Sequence, residues 1–197
     1  MAVSDTTELA RRLALVRPVH TVRGLAFNAI LLLVSEHAGE EASARLLREV
    51  SARRLVDFFS YPATDFTRLL FLAADVLSPH LGSQQEGLRA CGSACLYRFF
   101  YFSTVGRALA KIMGRRNPMR GFANTSIAYA TLVNYGTHDC EVLGPRQIRL
   151  VFRGDMQPAV FHEGTLSAAL KVTEVQGTVK STIHDLDHAE FLIEWEE

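Results

Sequence analysis

The chain has no excess of charge of either sign, because 21 lysine and arginine residues balance 21 aspartate and glutamate residues. A neutral chain creates no overall field that would attract nucleic acid or an anionic membrane surface, so we predict neither partner. Cysteine is scarce as well. The three cysteines are an odd number without the spacing of a disulfide framework, which predicts a reducing compartment and a cytoplasmic protein.

Long apolar runs and catalytic motifs are also missing. The longest apolar run, from Leu25 to Val34, is interrupted by Asn28 and reaches only about half the length of a membrane span. The sequence contains no Gly-x-Ser-x-Gly turn, no phosphate-binding loop and no Gly-x-Gly-x-x-Gly after a strand. We therefore predict no membrane span and no catalytic residue, and an enzyme is the weakest of the functional hypotheses.

The composition that remains is that of an ordinary globular domain. Apolar residues make up 48% of the 197 residues and charged residues 21%, which is enough apolar surface for one substantial core. The apolar period changes from helical to alternating near residue 138. We predict a single α+β domain over residues 1–197, with helices over about 1–137 packed on the antiparallel sheet of a β-β-α-β-β unit over about 138–197.

The helical part divides into segments bounded by proline and glycine. Helical spacing over 88–113 predicts one long helix or two nearly collinear ones, with Gly92 and Gly106 on the stripe where another helix can approach closely. The other predicted helices are a short one ending near Pro18, a buried one over about 22–34, one over 41–56, one from Pro62 to near Pro79 and one over 117–135.

Alternation defines the C-terminal unit. A hairpin is predicted around the Gly144–Pro145 turn, followed by a helix over 158–174 and a second pair of strands that ends close to Trp195. One face of the sheet is predicted to be buried, and we expect the long helix around 88–113 to cover it. The residues assigned to that face are Ile148, Leu150, Phe152, Phe191, Ile193 and Trp195.

Several short motifs occur in an order that resembles a known family. The motifs are Thr21–Gly24, Tyr61–Pro62, Gly106–Leu109, Pro118–Gly121, Phe152–Gly154 with Pro158, and Glu194–Glu196. Together they cover nearly the whole chain and resemble a family of proteins of similar length that has many paralogous copies in myxobacteria and no assigned function. The resemblance brings no catalytic residues with it.

The predicted architecture is also similar, more remotely, to the fold of 4-vinyl-reductase-type sensor domains, TRAPP vesicle-tethering subunits and haem–nitric-oxide-binding domains. That similarity implies a homodimer and an apolar pocket between helices and sheet. The first functional hypothesis is therefore a non-catalytic sensor that binds a small apolar ligand in signalling or regulation. The aromatic run of the long helix supplies the predicted pocket residues, Tyr97, Phe99, Tyr101 and Phe102, although aromatic stripes on helices are usually core.

Haem binding is judged by comparison with the Tyr-x-Ser-x-Arg signature that the haem-binding relatives carry. This chain has Tyr101, Ser103 and then Val105 where the arginine is required, and Arg107 is displaced by two residues. The signature therefore fails, and no cofactor is predicted. Three histidines are left without an assigned role: His20, His80 and His162.

Two groups of side chains have the residue types of metal ligands. Cys91 and Cys95 lie four residues apart and share one face of a helix, but this face is apolar and buried cysteine is common, so we favour a core role. The second group falls at the turn between the last two strands, where a solvated turn explains it, and no metal is predicted. Its members are His184, Asp185, Asp187 and His188.

A basic stretch over 107–120 contains no acidic residue. Its five cations are Arg107, Lys111, Arg115, Arg116 and Arg120. A solvated helix end explains them, because cations suit the C-terminal end of a helix dipole. The second functional hypothesis is that this stretch docks an acidic protein partner onto a dimeric adaptor.

Overall fold

The computed structural model describes residues 3–51, 54–113 and 117–196. The helices are α1 (Val3–Leu15), α2 (Gly24–Ala38), α3 (Glu40–Arg48), α4 (Ala63–Leu81), α5 (Gln84–Phe102), α6 (Thr104–Met113), α7 (Pro118–Phe122), α8 (Thr125–Leu132) and α9 (Ala159–Val172). The strands are β1 (Thr21–Arg23), β2 (Ser60–Pro62), β3 (Thr137–Gly144), β4 (Gln147–Arg153), β5 (Gly177–Asp185) and β6 (His188–Trp195). The predicted α+β class, with helices first and a β-β-α-β-β unit last, is confirmed.

The long helical segment breaks at Ser103, so that α5 and α6 are separate helices. Ser103 adopts an extended conformation, with φ −90° and ψ 148°. Its hydroxyl oxygen accepts a hydrogen bond from the Gly106 N–H at 2.8 Å, which caps the first turn of α6. The predicted helix over 117–135 is likewise divided into α7 and α8, and the one predicted over 41–56 ends as α3 at Arg48.

A small two-stranded sheet was not predicted from the sequence. Val22 of β1 pairs with Tyr61 of β2, so the Thr21–Gly24 and Tyr61–Pro62 motifs lie side by side. Three-residue strands are too short to show an alternating pattern, which is why the sequence does not reveal them. Helix α4 runs past Pro79 to Leu81 and ends at Gly82, whose φ of 97° belongs to the left-handed region that favours glycine.

The C-terminal sheet is antiparallel with strand order β3-β4-β6-β5. Ile148 pairs with Ile193 and Leu150 with Phe191, so these side chains share one face of the sheet. The residues predicted for the buried face are all buried, as the alternation required.

The helix that covers this face is α9, which differs from the expectation that α5 would cover it. The apolar cluster on the sheet includes Ala159, Leu166 and Leu170 of α9, and among the residues that the structure describes no α5 side chain belongs to it. The helix of a β-β-α-β-β unit connects two strands of one sheet, so it packs directly on that sheet. Helix α5 then packs on the opposite side of α9.

Two glycines allow α5 and α9 to approach backbone to backbone. A Cβ atom on Gly92 would lie 1.9 Å from the Phe161 carbonyl oxygen, and one on Gly164 would lie 1.9 Å from the Arg89 carbonyl oxygen. The Ser93 hydroxyl donates a hydrogen bond to the Gly164 carbonyl oxygen at 3.0 Å. The predicted close approach at Gly92 is therefore present, with α9 as the partner. Within the described ranges, no helix combines the length and the hydropathy needed to cross a bilayer.

Candidate functional site

A cavity of about 60 Å³ lies among the helices, beside the loop that follows β4. Its wall is mainly apolar and comes from α2, α4, α5, α8 and α9. Cys95 and Phe99 line it from α5, and Ala128 and Leu132 line it from α8. The loop contributes polar groups, so the cavity has an apolar body and one polar side.

A buried network of hydrogen bonds forms this polar side, with Asp155 at its centre. His138 Nε2 lies 2.8 Å from Asp155 Oδ2, and His162 Nε2 lies 3.3 Å from Asp155 Oδ1. The other ring nitrogen of His162, Nδ1, is 2.9 Å from the Tyr129 hydroxyl. All of these side chains except Tyr129 are at least nine-tenths buried. The network therefore joins α8, α9, β3 and the loop after β4.

A second branch of the network runs through Gln157. The backbone N–H of Gln157 donates to Asp155 Oδ1 at 3.1 Å, and the Tyr135 hydroxyl donates to Gln157 Oε1 at 3.0 Å. The Nε2 amide of Gln157 is buried and has no hydrogen-bond partner among the residues that the structure describes. An unpaired buried donor costs free energy. A bound molecule with an acceptor atom recovers this cost by accepting a hydrogen bond from the amide.

Aromatic rings hold the two imidazoles in place. The Tyr129 ring stacks on the His138 ring with centroids 4.1 Å apart. The Phe152 ring meets His138 edge to face at 4.6 Å and His162 at 5.0 Å. The imidazoles are thus oriented by packing as well as by their contacts with Asp155, which for His138 is a hydrogen bond.

The network shifts the pKa of its members. Burial alone would raise the pKa of the Asp155 carboxyl, but electrostatic attraction to His162 and the hydrogen bond with His138 outweigh burial and hold this pKa well below its ordinary value. Burial, together with the negative charge of Asp155, raises the pKa of the Tyr129 and Tyr135 hydroxyls well above the ordinary value. Asp155 is therefore an anion that neutral tyrosines and the two histidines surround.

The loop that carries Asp155 is anchored at both of its neighbours. Gly154 has a φ of 69°, and its N–H donates to the Asp187 carbonyl oxygen at 2.8 Å. Arg12 of α1 donates to the Met156 carbonyl oxygen at 2.9 Å and to the Leu186 carbonyl oxygen at 2.6 Å. The loop is therefore tied to α1 and to the turn between β5 and β6.

Only part of this site is predictable from the sequence. The sequence leaves His162 without a role, and Asp155 follows the Phe152–Gly154 motif directly but is not part of it. Tyr129 and His138 are not among the predicted site residues. A polar residue inside an apolar helical stripe is the one local pattern that could have indicated His162, because periodicity does not show which distant residues meet.

The structure separates the four aromatic residues predicted to line a pocket. Phe99 is buried and lines the cavity. Tyr97, Tyr101 and Phe102 line an open groove between α2 and α5 on the outside of the molecule. Tyr101 and Phe102 are each 63% exposed, and the Arg98 guanidinium lies 5.2 Å from the centre of the Phe102 ring. Ligand binding by these four residues stays a prediction.

The basic stretch is only partly described. Arg107, Lys111 and Arg120 are exposed, whereas Arg115 and Arg116 lie outside the residues that the structure describes. The Arg107 guanidinium donates to the Tyr101 carbonyl oxygen at 3.3 Å. Docking of an acidic partner at this stretch stays a prediction.

The two groups of candidate metal ligands lie in different environments. Cys91 and Cys95 are buried in the helical core, and burial raises the pKa of the Cys95 thiol to about 12, which disfavours the thiolate that a metal requires. At the β5–β6 hairpin, by contrast, one ligand atom from each of His184, His188 and Glu190 lies within 4.8 Å of the others. The two histidines belong to the group predicted from the sequence, whereas Glu190 does not.

Solved structures similar to this fold include H-NOX proteins. An H-NOX protein from S. oneidensis in the Fe(II)NO ligation state has a TM-score of 0.71 and 15% identity, over 89% of this chain and 99% of that chain. The unliganded Fe(II) H-NOX protein from K. algicida has a TM-score of 0.67 and 14% identity, over 89% and 97%. The H-NOX protein from Shewanella woodyi has a TM-score of 0.64 and 19% identity, over 87% and 93%. The fold similarity to haem–nitric-oxide-binding domains is confirmed.

The described residues do not fit a haem. Ligand pockets for such large groups span about 300–1,000 Å³, whereas the cavity here is about 60 Å³ and the backbones of α5 and α9 touch beside it. The three histidines left open by the sequence are also engaged or remote. His162 bonds to Tyr129, His20 Nδ1 accepts the Arg17 N–H at 3.2 Å, and His80 is on the surface.

No curated protein matches the sequence. A family model does, over residues 15–196, and its description is a protein of unknown function. This range contains every element of the cavity and of the buried network. The chain therefore belongs to the DUF2378 family.

Proposed function

We propose that this chain is a cytoplasmic, non-catalytic sensor domain that binds a small, mainly apolar molecule in the cavity beside Asp155. The observation that carries the proposal is an apolar cavity with an unpaired buried amide, Gln157 Nε2, in its wall. The H-NOX fold supports it, because proteins with this fold are described with NO, CO or oxygen bound.

The size of the cavity sets the size of the ligand. A cavity of about 150 Å³ lined by apolar side chains accommodates benzene, so the cavity of about 60 Å³ here suits a molecule of a few non-hydrogen atoms. Affinity is limited accordingly. At a ceiling of about −1.5 kcal/mol per non-hydrogen atom, a four-atom ligand reaches about −6 kcal/mol, or a Kd of tens of micromolar.

The polar side of the cavity sets the ligand's chemistry. Gln157 Nε2 offers a hydrogen-bond donor, so the ligand carries one acceptor such as a carbonyl oxygen. The same loop contacts α1 through Arg12 and the β5–β6 turn through Gly154. A ligand that moves Gln157 therefore has a route to the surface of the sheet through these contacts.

Acetone and xenon test the cavity directly, because one has a carbonyl acceptor and the other has none. We expect both to cause saturable shifts in amide NMR resonances of residues that line the cavity. The substitution Ala128→Leu adds three carbon atoms to the cavity wall and should abolish the shifts. Gln157→Leu should weaken acetone binding severalfold while xenon binding persists.

Ala130→Leu provides the matched control, since it is the same substitution on the exposed face of α8. This variant should bind both probes like the wild type. Absence of saturable shifts in the wild type, or binding by Ala128→Leu equal to that of Ala130→Leu, would contradict the proposal.

The alternative is a dimeric adaptor that docks an acidic partner through the basic stretch. The exposure of Arg107, Lys111 and Arg120 supports it. Charge reversal at Arg107 and Lys111 should then abolish capture of an acidic partner and leave the melting temperature unchanged. Unaltered capture would indicate that the stretch is a solvated helix end.

A further inference from the structure

An irregularity in the last hairpin places one histidine outside the regular pairing. Ile183 pairs with Ala189 and Asp185 with His188, so a bulge between Ile183 and Asp185 leaves His184 without a paired residue. Bulges commonly turn a side chain toward a functional position. His184 nevertheless lies beside His188, with ring centroids 4.6 Å apart.

Glu190 completes the group on the outer face of the sheet. His188 and Glu190 are two residues apart on β6, so their side chains project from the same face. This face is opposite to the one that buries Phe191 and Ile193. The group is open to solvent, with side-chain exposures of 41% for His184 and 28% for Glu190.

The distances in this group suit one metal ion. One ligand atom from each side chain lies within 4.8 Å of the others. His184 Nε2 is 3.3 Å from Glu190 Oε1. Two ligand atoms at about 2.0–2.1 Å from one zinc ion in tetrahedral geometry are about 3.3 Å apart, so this pair already has the separation that coordination requires.

His188 supplies an independent observation. Its Nε2 atom is shielded from solvent and has no hydrogen-bond partner among the described residues. A buried polar nitrogen without a partner costs free energy that a ligand can recover. A cation bound at the group adds a favourable charge next to Glu190, which lies 3.3 Å from His184 Nε2 and 3.7 Å from the Nη1 atom of Arg149.

We propose that His184, His188 and Glu190 form a zinc site with an open coordination position. Two imidazoles and one carboxylate are a ligand set that zinc accepts, with water in the fourth position. The borderline character of imidazole favours zinc over magnesium or calcium, which prefer oxygen ligands. The Arg149 guanidinium, 3.7 Å from the Glu190 carboxylate, competes with the ion for it.

The site is tested with the chain of residues 1–197 after treatment with a chelator. Zinc chloride is then added, and binding is measured by calorimetry and by competition with a chromophoric chelator. We expect saturable binding of one ion per chain with a Kd below about 10 μM and a rise in melting temperature. His188→Ala and Glu190→Gln should each weaken binding at least tenfold. His80→Ala removes an exposed histidine on α4 and should bind like the wild type.

The Arg149→Gln variant distinguishes a Glu190 that binds the metal ion from a Glu190 that only stabilises the fold. Removal of the competing cation should tighten zinc binding severalfold, because Glu190 then faces the ion alone. Melting temperatures without metal show that each variant is folded. Wild-type affinity in both His188→Ala and Glu190→Gln, or weaker binding in Arg149→Gln, would overturn the proposal.

Discussion

Asp155 is a buried carboxylate that two histidines contact from opposite oxygens. His138 approaches Oδ2 at 2.8 Å and His162 approaches Oδ1 at 3.3 Å. Desolvation of this anion is unfavourable, and its partners offset that cost only while they remain in place. The residue therefore links the stability of the fold to pH.

Asp155→Asn should change the pH dependence of the free energy of unfolding. The pKa of Asp155 is lowered in the folded state, so its stabilisation is complete above the unfolded value of about 3.9 and is lost as the pH falls through and below that value. The wild type should thus lose stability from about pH 5 downward, and the variant should lose less. At pH 7 the variant should be less stable by about 1–3 kcal/mol.

Denaturant unfolding between pH 3 and pH 7 measures this difference. Asp139→Asn is the matched control, because Asp139 is 70% exposed and lies 3.8 Å from Arg153. The control should follow the wild type closely at every pH. Parallel curves for the wild type and Asp155→Asn would show that the buried network does not control acid stability.

At the scale of elements, the contact between α5 and α9 determines how the helical part meets the sheet. Both helices are regular and could accept other partners on the basis of their apolar stripes alone. The pairing of α5 with α9 depends on Gly92 and Gly164, because the missing side chain of each glycine leaves space for a carbonyl group of the other helix. Larger residues at either position would force the two backbones apart.

Gly92→Ala should destabilise the protein, although alanine normally favours a helix over glycine by about 0.5–1 kcal/mol. The added Cβ would lie 1.9 Å from the Phe161 carbonyl oxygen, and such overpacking costs about 1–3 kcal/mol. Chemical denaturation should show a net loss. Gly144→Ala is the control, because its Cβ would be 3.9 Å from Gln147 and should cost little. A Gly92→Ala variant as stable as the wild type would contradict this packing.

At the scale of the whole molecule, the chain shares a fold with H-NOX proteins over 89% of its length. The cavity of about 60 Å³ and the contact of α5 with α9 leave a void suited to a much smaller guest than a haem. Core side chains such as Phe99 and Phe161 occupy the region around it.

Protein produced in cells supplied with iron and a haem precursor should therefore purify without a Soret absorption band. Titration with haemin should show no saturation at one haemin per chain. The positive control is the S. oneidensis H-NOX protein, whose structure contains Fe(II). A saturable haem complex that His162→Ala abolishes would contradict the prediction.

Local patterns predicted much of the fold and little of the site. Alternation assigned Leu150 and Phe191 to a buried face, and the structure confirms this because burial of a strand face depends only on a period of two. Helix ends were less predictable. Ser103 ends α5 through its own extended backbone, and the helical period continues across it without a change in the sequence pattern.

The apolar period assigns the longer segments to helix or strand, although not the three-residue strands β1 and β2, and it indicates which face of the C-terminal sheet is buried. The position of α9 rather than α5 on the sheet follows from packing, which the sequence pattern does not show. Packing also brings Tyr129, His138 and His162 together at Asp155, and it places Glu190 beside His184. The physical reason is that periodicity records whether a side chain is buried, whereas the identity of its distant partner depends on how whole elements pack.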